Sequence, residues 1–177
     1  TPPPELAGVI LVAPAVRGRE VLPWLYRVTL WLATHTVPFL YLSPEGLDIL
    51  PSDNLAMLRA LSADPLVLKG SRVDALAGLV DLMDRALQDA PALRARTLLL
   101  YGRRDEVIPP QGVKRLIERL PRDNLTVALY EQGYHMLLRD LERETVWRDI
   151  LAWIAAEPLP SQADRGPPLA DLAYESF

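Results

Sequence analysis

Three short apolar runs punctuate the chain: Gly8-Val-Ile-Leu-Val-Ala13, Thr97-Leu-Leu-Leu-Tyr-Gly102 and Leu125-Thr-Val-Ala-Leu-Tyr130. Each follows a proline-containing or polar approach and ends in proline or a glycine-bearing loop. Runs of this length, apolar without alternation, suit strands buried on both faces. Between the second and third runs, Pro110 stands at a first helical position, and Val113, Leu116, Ile117 and Leu120 follow three or four apart until Pro121. Beyond the third run, residues 141–157 carry Val146, Ile150, Trp153 and Ile154 as one stripe opposite charged residues, and Pro158 ends the pattern. Strands separated by helices predict an α/β fold, with parallel pairing through right-handed crossovers.

The stretch from 16 to 96 is far longer than a crossover needs, and it is expected to form an inserted helical cap followed by a helix. It opens with the aromatic-rich residues 24–32. A short helix follows Ser52, which is placed to cap it. From Ser71 the positions Val73, Leu76, Val80, Met83 and Leu87 step by three and four, with Asp74, Asp81, Asp84 and Arg85 largely on the wet side. The expected division is therefore a connector and first core strand at 1–15, cap and following helix at 16–96, a C-terminal core at 97–157, and a Pro-rich tail at 158–177. In that tail only Leu169, Tyr174 and Phe177 are equipped to dock. The apolar stretch 21–42 contains Arg27 and His35 and is broken by Pro23 and Pro38, which argues for a cap helix over a transmembrane segment.

Composition narrows the chemistry. The 177 residues contain no cysteine, which removes thiol nucleophiles, thiolate metal sites and disulfides, and leaves the compartment open. Nineteen basic against twenty-three acidic residues give a net charge of −4 with no basic cluster beyond pairs such as Arg103-Arg104, so no nucleic-acid partner is expected. Thr1-Pro-Pro-Pro-Glu5 has neither a basic n-region nor an apolar h-region and reads as a connector.

Two residues stand where chemistry is done in an open parallel sheet, outside the carboxyl ends of its strands. Asp105 lies in Tyr101-Gly-Arg-Arg-Asp-Glu-Val-Ile-Pro109, on the loop leaving the second run. It is either the carboxylate of a site or a loop aspartate that makes a turn or caps the helix at Pro110. His135 lies in Glu131-Gln-Gly-Tyr-His-Met136, on the loop leaving the third. Matching positions on neighbouring strands let the two loops meet, and a carboxylate beside an imidazole is the base half of a nucleophilic relay. Zinc is the rival use. It normally takes three or more protein ligands, and the other histidine, His35, has no partner at ligand spacing, so no metal and no cofactor are expected.

These motifs resemble the α/β-hydrolase superfamily, and within it the monoacylglycerol lipase and lysophospholipase-like branch. Gly8-Val-Ile-Leu-Val-Ala-Pro-Ala15 looks like the strand after the nucleophile helix, Leu98 to Pro109 like the acid strand and loop, and Gly133-Tyr-His-Met-Leu137 like the histidine loop. The resemblance spans about residues 6–156 and implies that the chain is the C-terminal half of such a fold, with Asp105 the triad acid and His135 the triad base. Ser43, Ser52, Ser62, Ser71, Ser161 and Ser176 all lack the two glycines of a Gly-x-Ser-x-Gly elbow. The nucleophile and the oxyanion-hole amides are therefore expected upstream of Thr1, in an N-terminal half that is the chain's partner and that covers the free edge of the first strand. The implied activity is that of a serine hydrolase on a carboxylic or lipid ester. Trp24, Tyr26, Trp31 and Val107 are candidates to line its acyl pocket. A non-catalytic binding protein on a degenerate hydrolase scaffold is the alternative, which a missing elbow serine would favour.

Overall fold

The computed structural model describes residues 6–16, 18, 19, 22–43, 46 and 48–165. The first five residues and Leu169, Tyr174 and Phe177 lie outside the described residues, and so do the expectations placed on them. The three apolar runs form β1 (Val9–Val12), β4 (Thr97–Gly102) and β5 (Leu125–Tyr130), a parallel sheet in the order β1-β4-β5. Helix α4 (Pro110–Arg119) is the crossover from β4 to β5, and α5 (Arg143–Ile154) follows β5. Between β1 and β4 lie α1 (Trp24–Thr36), β2 (Tyr41–Leu42), α2 (Leu55–Ala63), β3 (Ser71–Arg72) and α3 (Val73–Asp89).

Period-two alternation along the strands divides the core in two. Leu99, Tyr101 and Leu129 face Leu87 of α3 and Val113 and Leu116 of α4. Leu98, Leu100, Ala128 and Tyr130 face Val146 and Trp153 of α5. Every residue of β4 is buried because the strand has a neighbour on each side and helices on both faces. The same expectation for β1 is corrected. All four of its residues are only half-buried, since among the described residues no strand pairs with its outer edge.

The helices follow the predicted stripes with three further corrections. Ser52 does not cap α2: Asn54 does, its Oδ1 accepting from Met57 N at 3.1 Å, while Ser52 is fully buried. Ile154 is exposed, and the inner face of α5 includes the carboxylate of Asp149, which is 0% exposed. Its oxygens accept from Tyr130 Oη at 2.8 Å, Ser161 N at 3.0 Å and Ser161 Oγ, which satisfies a charge that burial would otherwise penalise. The antiparallel pair β2–β3 was not signalled by its two-residue strands. Helix α1 lies against α3 and buries none of its own residues. Among the described residues no helix is long and apolar enough to cross a membrane.

Candidate active site

Parallel pairing puts the ends of β4 and β5 side by side, with Gly102 opposite Tyr130 in register. The loops leaving them touch through two glycines. A Cβ built on Gly102 would stand 2.3 Å from Gly133 O, 2.4 Å from Gly133 C and 2.6 Å from Tyr134 O, so the absence of a side chain there permits the approach. Arg103 N donates to Tyr130 O at 3.0 Å and Arg104 N to Gly133 O at 2.9 Å, fastening one loop to the other.

This contact carries Asp105 to His135. The Asp105 side chain is completely buried, and Oδ1 accepts from Val107 N and Ile108 N, each at 2.9 Å, which fixes the carboxyl plane at the entrance to α4. The remaining oxygen, Oδ2, lies 3.0 Å from His135 Nδ1. A carboxylate only accepts, so Nδ1 carries the proton, and in the neutral ring Nε2 keeps its lone pair. The His135 side chain is 28% exposed, so the ring is not sealed in the interior. One Asp105 oxygen thus makes the turn and the other meets the imidazole, while α4 begins at Pro110 with no side-chain cap. Behind the acid, Tyr101 Oη donates to Ile108 O at 2.7 Å. Burial, reinforced by the Asp105 charge, pushes its phenol well above the ordinary tyrosine range.

Of the other candidates, Val107 flanks the pair through its N–H bond to Asp105, and the three aromatics sit on α1. Trp24, Tyr26 and Trp31 are 72%, 65% and 62% exposed on α1, and Trp24 and Trp31 with Arg27 and Val28 line a shallow hollow of about 380 Å³. Val107 is partly buried against the core beside α4. Ser52 is tied to the histidine loop through Asp140, and its enclosed hydroxyl is unlike the exposed one that nucleophilic attack requires. Among the described residues no group of three or more His, Asp or Glu side chains is placed to hold a metal ion. Sequence reading passed over the Gly102–Gly133 contact and the buried Asp140; a glycine at the end of each strand was the available signal for the first.

Residues 1–142 match the model of the serine aminopeptidase S33 family. The chain belongs to that family. Its similarity is to the monoacylglycerol lipase branch of the α/β-hydrolases. It is 28% identical over 158 residues to a monoacylglycerol lipase of Mycolicibacterium smegmatis, covering 87% of this chain and 55% of that one. Human monoglyceride lipase is 27% identical over 157 residues, with 86% of this chain and 52% of that one covered. Among solved structures, the monoacylglycerol lipase of Paleococcus ferrophilus superposes with a TM-score of 0.73 at 30% identity, over 87% of this chain and 60% of that one. A soluble variant of the Saccharomyces cerevisiae monoglyceride lipase, in complex with a substrate analog, shares the fold with a TM-score of 0.69 at 16% identity, over 86% of this chain and 54% of that one. The chain spans about half the length of the curated relatives it matches.

Proposed function

We propose that this chain supplies the acid and the general base of a serine hydrolase that cleaves a carboxylic ester with an apolar acyl chain, of the monoacylglycerol or lysophospholipid type. The observation that carries the reading is the 3.0 Å contact between the buried Asp105 carboxylate and His135 Nδ1, made from loops at the same end of a parallel sheet. The nucleophile comes from a Gly-x-Ser-x-Gly turn on an upstream segment of the same protein, since none of the serines here has that setting. Two faces suit the packing of such a segment: the outer edge of β1, and an adjoining apolar groove of about 620 Å³ lined by Leu11, Val16, Met83, Leu93, Leu116 and Leu120.

In this mechanism His135 Nε2 takes the proton from the serine hydroxyl as the oxygen attacks the ester carbonyl. The imidazolium so formed is stabilised by Asp105 and hands the proton to the departing alkoxide, leaving an acyl-enzyme. Water then attacks the acyl-enzyme, with the same nitrogen as base, and the fatty acid leaves as the serine is reprotonated. Residues 16–96 act as the cap, and the exposed aromatics Trp24, Tyr26 and Trp31, with Val107, form the apolar side of the substrate path.

The test is expression of this chain together with the segment encoded ahead of it, assayed against monoacylglycerols of graded chain length and labelled with a fluorophosphonate. Ester turnover, a label on an upstream serine, and a fall of about 10³-fold or more in kcat for His135→Ala and Asp105→Asn are expected. Turnover that survives His135→Ala refutes the assignment, and an elbow position without serine turns the reading to a non-catalytic binding protein.

A further inference from the structure

The ring of His135 is oriented by Asp105, but its backbone is held by residues on either side. Tyr134 N donates to Asp140 Oδ2 at 2.9 Å, and Met136 N donates to Pro51 O at 2.9 Å. Asp140 is 3% exposed, and its other oxygen accepts from Ser52 Oγ at 2.6 Å, a hydroxyl with no exposure. Both amides flanking the histidine are therefore tied to the segment 50–54: one directly through Pro51, the other through Asp140 and Ser52. The segment is stitched further along its length. Asn54 Nδ2 donates to Arg139 O at 2.9 Å, Leu141 N to Asp53 Oδ1 at 2.8 Å, and Leu50 N to Glu106 Oε2 at 2.9 Å, next to the acid itself.

We propose that Ser52 and Asp140 are positioning residues for the His135 imidazole, and that the segment 50–54 couples the inserted region to the acid and histidine loops. This rests on reading His135 as the base of the hydrolase. A buried carboxylate in the histidine loop has to be satisfied or it destabilises that loop, and here its two donors are the amide preceding the histidine and a hydroxyl 88 residues earlier in the chain. Loss of the Ser52 hydroxyl leaves Asp140 Oδ1 unpaired in the interior. The carboxylate then turns toward water, Tyr134 N is released, and the ring is no longer presented to Asp105 at hydrogen-bonding distance.

The test reads the ring itself. The 177-residue chain is labelled with ¹⁵N-histidine, and nitrogen–proton correlation spectra of the neutral imidazoles report which nitrogen carries the proton, with His35 as internal reference. The unaltered chain is expected to hold His135 as the Nδ1–H tautomer. Ser52→Ala and Asp140→Ala are each expected to shift the tautomer ratio toward Nε2–H by about tenfold, the equivalent of one lost charge-assisted hydrogen bond. Asp140→Asn rescues, because the new amide donates to Ser52 Oγ while its oxygen still accepts from Tyr134 N. If an alanine variant does not fold, Ser52→Cys replaces it, keeping the volume and weakening the donor, with the same direction expected. A folded Ser52→Ala, Asp140→Ala or Ser52→Cys chain that retains the Nδ1–H tautomer overturns the proposal, as does an Asp140→Asn chain that loses it. The readout requires no turnover, so a failure of the ring to hold its tautomer and a failure of the protein to hydrolyse esters are told apart.

Discussion

Replacing Gly102 with alanine probes the joint on which the site depends. The added Cβ meets backbone atoms of Gly133 and Tyr134, which have no rotamer with which to move aside. To reach the 3.0 Å that real Cβ contacts respect, starting from 2.3 Å, the two loops must part by about 0.7 Å. Carried to the two side chains, that movement stretches the Asp105–His135 contact from 3.0 Å to about 3.7 Å, beyond a hydrogen bond. Forcing a methyl into a packed interior costs about 1–3 kcal/mol, and a rigid backbone obstacle puts this case near 3. Against it stands about 0.4–1 kcal/mol gained because alanine restricts the unfolded chain. The net loss is about 2 kcal/mol, or roughly 4–8 °C in melting temperature for a chain of this size. Gly78 supplies the control. It lies in α3 with nothing within 4 Å of its built Cβ, so Gly78→Ala is expected to stabilise by about 0.5–1 kcal/mol. Urea unfolding of the two variants gives the energies, and the ¹⁵N-histidine spectrum gives the state of the contact. A Gly102→Ala chain within about 0.5 kcal/mol of the parent that keeps His135 as the Nδ1–H tautomer would show that the loops do not need this glycine.

Three other outcomes follow from the packing. Asp149→Ala strands the buried Tyr130 hydroxyl and removes the acceptor of Ser161, and is expected to destabilise by about 1–3 kcal/mol. Adding Tyr130→Phe should recover part of that loss, so strict additivity in a double-mutant cycle would sink the account. Leu98→Ala, in the fully enclosed β4, is expected to cost about 2–5 kcal/mol by denaturant unfolding, and a loss under about 1 kcal/mol would mean the core there collapses around the change. At alkaline pH the phenols of Tyr101 and Tyr130 matter: burial first, then Asp105 for Tyr101 and the hydrogen bond with Asp149 for Tyr130, raise both above the reference value of 10.0. A raised folded value means the stabilisation is intact below pH 10 and is lost as pH rises toward the folded values. The absorbance contributed by Tyr101 and Tyr130, read as the part lost in the Tyr101→Phe and Tyr130→Phe chains, should therefore rise together with unfolding above that pH, and ionisation of either phenol in a still-folded chain would contradict the burial argument.

Local pattern alone determined a good deal of this protein. The unbroken run Leu98 to Tyr101 and the stripe from Val73 to Leu87 specify a buried strand and a one-sided helix wherever the chain lies, because side-chain periodicity is a property of the backbone. The places of Asp105 and His135 were legible for a related reason. Parallel strands send their exit loops to the same end, so two polar residues just past two such strands can meet without any knowledge of side-chain packing. Other features depended on partners that sequence distance conceals. Whether Ser52 caps a helix or is buried turned on Asp140, 88 residues away, which takes its hydroxyl and leaves the cap to Asn54. Asp149 reads as the wet side of α5 until Tyr130 and Ser161 arrive to satisfy it. Ile154 falls on the apolar stripe by spacing and is exposed because no element covers the end of α5 at that point among the described residues. Burial of a polar group is decided by which donors meet it, and that is a property of the tertiary structure, whereas the period of an apolar pattern is written in the chain.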